Sequence, residues 1–423
     1  AGMYFTVRTR FPQVRLFKRA CGSVMEKPED KKAISSFQAL MVSTASRVGT
    51  GNIVGVSSAI CIGGFGSVFW MWVIAIIGSA SALIESTLAQ IYKKKGEDGS
   101  CYGGPAYYIE AALHCRPLAI VFCIAMILTY AFGFNMLASY NLQSTFSVFS
   151  FYEAKISPWI IGGILAVLTG WCLLGGGSRI VKVTSMVVPV MGIAYIGISL
   201  LVVIINIQNV PAMFVRIFEE AFDFKAIFGA FSGSAMMQGI RRGLYSNEAG
   251  IGSAPNASAA ANVSHPVKQG LIQALGVFID TLVICSCSAF LMLLAPAEKI
   301  EGLMGMDLLQ AAMNHHLGYA GVVFIAVVLF LFSFSTFLGI LYYARCNVSY
   351  VFGDTWKAQT GYKIFLLIML FIGGVAAYEF VWELGDLGVG LMTVFNMIAI
   401  VPLSGQAINA LKDYETNYKK KKA

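Results

Sequence analysis

Ser43-Thr-Ala-Ser-Arg-Val-Gly-Thr-Gly-Asn52 sits inside an otherwise apolar stretch, Phe37–Gly63. Gly in a helix interior costs about 1 kcal/mol against Ala, and in a bilayer any backbone group freed by a break needs a new partner. A second stretch of the same kind, Gly229-Ala-Phe-Ser-Gly-Ser-Ala-Met-Met-Gln-Gly239, lies within Ala226–Ile251. Interruptions at corresponding positions of two halves point to a mid-membrane binding site built from discontinuous helices. The competing explanation is that small residues merely let helices pack closely.

The flanking sequence supplies the membrane. Hydrophobic residues make up 57% of the 423 and charged residues 12%, against roughly 25% charged in a soluble domain. Long segments of alternating polarity, as in an outer-membrane barrel, are absent. Stretches of about 20 apolar residues recur as ten candidate spans: Phe37–Gly63, Phe65–Tyr92, Pro117–Phe146, Pro158–Leu174, Val181–Ile207, Ala226–Ile251, Gly270–Ala295, Ala320–Phe352, Ile364–Trp382 and Leu387–Leu411. They divide into five and five, and an odd number per half makes the halves inverted. The expected divisions are therefore 1–36, a helix remnant with a basic segment; 37–207, the first repeat; 208–224, an external connection; 225–411, the second repeat; and 412–423, a basic tail. Ala1–Thr6 reads like the end of an earlier apolar helix.

Lys and Arg set the orientation. With the residues before Phe37 inside, 25 of the 30 basic residues fall inside, Arg241 and Arg242 among them. Four fall outside (Lys155, Arg216, Lys225 and Lys299), and Arg47 lies within a span. This places the chain in a plasma or inner membrane with a cytoplasmic C-terminus. The formal net charge of +8 thus belongs to a membrane face that meets lipid headgroups, and a nucleic-acid partner is not expected. The four His do not converge with Cys at metal-ligand spacing.

A helix break suits a zwitterion. Half-helix N-termini present free N–H groups to a carboxylate. Thr50 and Gly51 are placed to do so, with Asn52 adding a side-chain amide. In the second break, Phe231, Ser232, Gly233 and Ser234 offer carbonyls and hydroxyls to an ammonium group. Phe332-Ser-Phe-Ser-Thr336 of the eighth span offers oxygen ligands to a hard cation: the Ser335 and Thr336 hydroxyls and the Phe332 carbonyl, facing the carbonyls of Ala45 and Val48. Ser and Thr in such helices also bond back to their own backbone. Four ionisable residues fall in or near spans, where charge is costly. Arg47 and Glu248 are read as a pair, either an inner gate or a static lock. Asp280 is either a structural acid or a proton or cation group, and Glu85 snorkels towards a span end.

The stretches RVGTGNIVGVSSAI, GGFGSVFWMW, YGGPAYYIE, RRGLYSNEAGIGSAPNASAAA, HPVKQG and LGVFIDT resemble the alanine/glycine:cation symporter family, from about Phe11 to the end. The resemblance implies an all-α, five-plus-five inverted-repeat transporter with broken first and sixth helices and an extra N-terminal helix. It implies import of a small neutral amino acid with Na+, sometimes H+, by alternating access. It also assigns Thr50 and Gly51 to the carboxylate, Ala45, Val48, Ser335 and Thr336 to sodium, and Phe231–Gln238, including Met237 and Gln238, to the substrate wall. Two departures stand out. Family members often read NMVQ where this chain has Asn135-Met-Leu-Ala138, and Ile340 and Arg345 replace a large or polar wall residue and an acid. Ala138 and Ile340 imply a roomier pocket and a substrate larger than alanine. The alternatives are an amino-acid-binding membrane sensor without transport and an H+-coupled permease. An enzyme is not expected, because no nucleophile–base set or paired midplane carboxylates is present, and no cofactor is expected beyond the coupling ion.

Overall fold

Lipid offers no hydrogen bonds, so an apolar chain must close its backbone bonds internally as helix. The computed structural model describes residues 1–26, 28, 34–96, 100–223, 234–376 and 378–422. Among these, seven helices are long and apolar enough to cross a membrane alone. They are α3 (Gly66–Ile91), α4 (Arg116–Val148), α5 (Ser157–Leu174), α6 (Gly176–Ile205), α9 (Pro266–Leu293), α10 (Tyr319–Phe352) and α12 (Tyr378–Lys422). Three further crossings come from α11 (Trp356–Gly373) and from two interrupted helices, α1 (Ser36–Arg47) with α2 (Gly51–Gly63), and α7 (Ala235–Asn247) with α8 (Ala254–Ala260).

Local chemistry sets the ends. Ser35 and Gln38 form a reciprocal cap at the start of α1: the Ser35 hydroxyl accepts from the Gln38 N–H at 3.1 Å, and the Gln38 carbonyl accepts from the Ser35 N–H at 2.9 Å. Past Arg47 the chain leaves helical geometry at Val48 (ψ 90°) and re-enters through a wide turn, Gly51–Gly55. Ser234 caps α7 by accepting from the Met237 N–H at 3.3 Å.

The two interrupted helices run antiparallel, side by side. Gly63 faces Ala235 and Gln238 at one end, and Gly51 faces Tyr245 and Ser246 at mid-height. At the other end the Asn262 N–H donates to the Ile34 carbonyl at 3.1 Å. There the Ala261 carbonyl also accepts from Gln90 at the end of α3 (2.9 Å) and from Lys93 (3.0 Å). α7 lies tightly against α3 because Gly239 and Gly243 carry no side chain where Ser67 and Ile74 approach.

Three expectations need correction. The sixth crossing does not break within the described part of Gly229–Gly239: α7 is continuous from Ala235, and the break is Glu248–Ser253. Residues 229–233, with the candidates Phe231, Ser232 and Gly233, lie outside the described residues. The ninth crossing ends at the Gly373-Gly374 pair rather than at Trp382, which belongs to α12. Arg241 and Arg242 lie within α7, on the Gly63 side of the bundle away from Ser36. That weakens the inside–outside asymmetry without reversing it.

A candidate substrate and cation site between two broken helices

At the first break the Gly49 N–H donates to the Asn52 side-chain carbonyl at 2.8 Å. The turn is thus closed by its own asparagine, leaving the Thr50–Gly51 amides at the start of α2. Ser46, Arg47, Gly49, Thr50 and Gly51 line a cavity with Phe134, Tyr245 and Thr336. Its volume is about 10 Å³, room for a single water at most. Phe134 and Tyr245 shut it by stacking, with centroids 4.6 Å apart and planes 11° from parallel. Tyr245 in turn leans on Trp382, 5.3 Å away.

The cation elements converge on the same break. Gly339 has no side chain, and this lets α10 pass against the backbone of Ala45 and Ser46. Thr336 reaches Gly49, where a methyl group would collide with its hydroxyl. That hydroxyl is buried and has no hydrogen-bond partner, as does the hydroxyl of Thr44. Ser335 is turned to the Phe332 carbonyl at 2.9 Å. Ser335 also touches the Met191 sulfur at 3.4 Å, and Arg47 lines the cavity, so the feature that suits a hard cation is the unpaired Thr336 hydroxyl beside the backbone of the first break.

The second break is held from outside the helix. Glu248, Gly250 and Gly252 all have left-handed backbones (φ 53°, 85° and 88°). The amides this frees are taken by Glu85 of α3, which accepts from Gly250 N–H at 3.2 Å, Gly252 N–H at 3.1 Å and Asn396 Nδ2 at 2.8 Å. Glu85 is fully buried and does not snorkel. Glu248 is also fully buried and accepts from Ser46 (2.9 Å) and Ser253 (2.6 Å). Among the described residues no ion pair joins it to Arg47. The expected Arg47–Glu248 pair is therefore not formed, because two serines satisfy the carboxylate instead.

A third carboxylate sits between the breaks. Asp280 of α9 accepts from Asn52 Nδ2 at 2.7 Å, Ser246 at 2.8 Å and Thr281 at 3.0 Å. Asn52 is thereby committed to Asp280, Ser246 and the Gly49 amide rather than turned to a substrate. Ser234, Met237 and Gln238 stand near the Gly63 end of α7. They are about 12 to 18 Å along the helix from Ser246 at 1.5 Å per residue, too far to complete the pocket at Gly51. Ile340 is buried one turn beyond Thr336 and does not line the cavity. The aromatic wall escapes the sequence reading, because neither Phe134 nor Tyr245 stands out among 48 Phe and Tyr, and Glu85 reads as snorkelling because its partners lie far along the chain. The only local signal for the second break was the pair Gly250 and Gly252.

On the Gly63 side of the aromatic wall, Asp386 of α12 receives both arginines of α7. Arg241 is 2.5 Å away and Arg242 3.3 Å, while the Arg242 guanidinium lies 4.4 Å over Trp382. Asp386, Arg241 and Arg242 form an ion-pair cluster beside the aromatic wall. Asp386→Ala leaves Arg242 half-sandwiched and uncompensated, and is expected to cost about 3 kcal/mol, seen as a fall of several degrees in melting temperature. Adding Arg242→Ala is expected to cause little further loss. Losses that simply add would refute the pairing.

Broken antiparallel helices around oxygen ligands define a coupled-transporter class, and the chain's similarities agree. It resembles the solved structure of MhsT in complex with L-phenylalanine, with a TM-score of 0.60 at 14% identity over 90% of this chain and 89% of that one. A family model described as the sodium:alanine symporter family matches residues 1–423. The probable sodium/glutamine symporter GlnT of Bacillus subtilis (strain 168) is 44% identical over 98% of this chain and 86% of its own length. The sodium/alanine symporter AgcS of Methanococcus maripaludis is 35% identical over 98% and 92%. The chain belongs to the sodium:alanine symporter family. It is a multi-pass, five-plus-five inverted-repeat membrane protein that carries amino acids with sodium, and it is a transporter rather than an enzyme.

Proposed function

We propose that the Thr50 and Gly51 amides bind the substrate carboxylate while sodium binds one turn away. Its ligands in this reading are the Thr336 and Ser335 hydroxyls and the carbonyls of Ala45, Val48 and Phe332. The observation that carries the reading is the unpaired Thr336 hydroxyl pressed against Gly49. A cation there would draw carbonyls of the first break inward and fix the adjacent amides for the carboxylate. The coupling is reciprocal, so substrate would tighten sodium by the same factor. Phe134 and Tyr245 form the wall against the side chain, with Ala138 one turn beyond Phe134.

The proposed substrate is a neutral amino acid that extends beyond alanine in size when that wall moves; a glutamine-sized side chain is supported by the name of the 44% identical relative. The Ser36 side and the C-terminus face the cytoplasm of a plasma or inner membrane, and the repeats are 37–207 and 225–411. Asp280, tied to Asn52, is the candidate for any proton that accompanies sodium.

Radiolabelled alanine, glycine and glutamine uptake into proteoliposomes, with sodium and proton gradients imposed separately, tests this. A sodium gradient alone is expected to drive alanine and glutamine. Uptake driven only by protons would remove the cation assignment, and uptake confined to glycine and alanine would remove the larger substrate.

A further inference from the structure

We propose that Arg47 is a tethered counter-cation: its guanidinium serves the buried carboxylates when sodium has left, and so allows the empty carrier to return. Glu85, Glu248 and Asp280 are each fully buried, and Arg47 is 2% exposed. If all are ionised, three negative charges face one positive charge inside a membrane protein, where uncompensated charge is expensive. A bound sodium ion offsets part of that excess. Without one, Arg47 is the internal cation whose field reaches all three acids.

The guanidinium is buried in the same region as these acids, and among the described residues it forms an ion pair with none of them. Arg47 ends α1, directly before the first break. Its neighbour Ser46 holds Glu248. Its Nη1 reaches the Gln273 carbonyl at a long 3.4 Å, while Nε and Nη2 have no hydrogen-bond partner. The side-chain amide of Gln273 is likewise unpartnered at both ends. Room for the guanidinium comes from Gly276 of α9, where a Cβ would stand 2.6 Å from Nη1. Buried N–H donors normally find partners, and the acids around Arg47 already hold serine, asparagine and backbone donors. The guanidinium thus sits at the first break with two nitrogens unpartnered, available to the acids when that break shifts.

This inference rests on the sodium-symport reading, and the test separates the two. Purified wild type, Arg47→Gln and Arg47→Lys in proteoliposomes are compared in three assays. These are sodium-dependent thermal stabilisation, net sodium-driven alanine uptake, and alanine exchange with substrate and sodium on both sides. Exchange does not require the empty carrier to return. Arg47→Gln is expected to bind sodium about tenfold more tightly, since a competing charge is gone. Its net uptake is expected to fall at least about tenfold further than its exchange, the separation an altered return step produces. Arg47→Lys keeps the charge and is expected to restore net uptake in good part. Sodium affinity unchanged or weakened in Arg47→Gln, with uptake and exchange falling together, would overturn the proposal and leave Arg47 structural. A wild type that neither binds sodium nor responds to it would instead bring down the symport reading, and this proposal with it.

Discussion

Glu85→Ala is expected to abolish uptake and to cost most of the protein's thermal stability. The substitution strips one acceptor from three buried donors at once: the Gly250 and Gly252 amides and the Asn396 side chain. Each orphaned donor costs about 1–3 kcal/mol, and lipid supplies no water to replace the lost partner. The sum is on the order of 5 kcal/mol, comparable with the whole margin of many folded proteins. Glu85→Gln separates shape from chemistry. Its carbonyl can still accept one amide, but its NH₂ faces a second donor, so an intermediate loss is expected. Size-exclusion profiles and melting temperatures of the two variants give the comparison. An alanine variant that melts and transports like wild type would show that the second break holds itself.

The second large effect is expected at the contact between Gly49 and Thr336. Thr336→Val keeps the volume and removes the unpaired hydroxyl. If that hydroxyl is a sodium ligand, the sodium concentration for half-maximal uptake should rise roughly 10- to 100-fold, the equivalent of about 1.5–3 kcal/mol for a charge-assisted contact. Thr336→Ser should recover most of it. Gly49→Ala drives a methyl group into the same hydroxyl. One helix must then give way, so uptake should fall below detection while the protein remains folded. Equal sodium dependence in Thr336→Val and wild type would place the coupling ion elsewhere.

The first break could be read in sequence because its causes are local. Val48 and Gly49 leave helical geometry, Gly51–Gly55 re-enters as a wide turn, and Asn52 itself closes the break. The second break could not, for the opposite reason. Gly229–Gly239 holds more small residues than Glu248–Ser253, but its described part uses them for close packing: Gly239 admits α3. What unwinds Glu248–Ser253 is a carboxylate contributed by Glu85, 165 residues from Gly250. Arg241 and Arg242 misled the reading similarly. Paired basic residues look like the end of a crossing until Asp386 is found opposite them. The membrane spans themselves follow from composition and length, whereas the aromatic wall of Phe134 and Tyr245 depends on which helix faces meet, and periodicity does not report that.

The knot of hydrogen bonds at Ile34, Ala261 and Asn262, one between main chains and two from the side chains of Gln90 and Lys93, constrains how the molecule can change shape. It ties α1, α8 and the end of α3 together at one corner. No single half-helix there can swing out like a door on its own hinge. The corner must either travel as one block or come undone bond by bond, and the first route leaves these hydrogen bonds intact throughout the stroke.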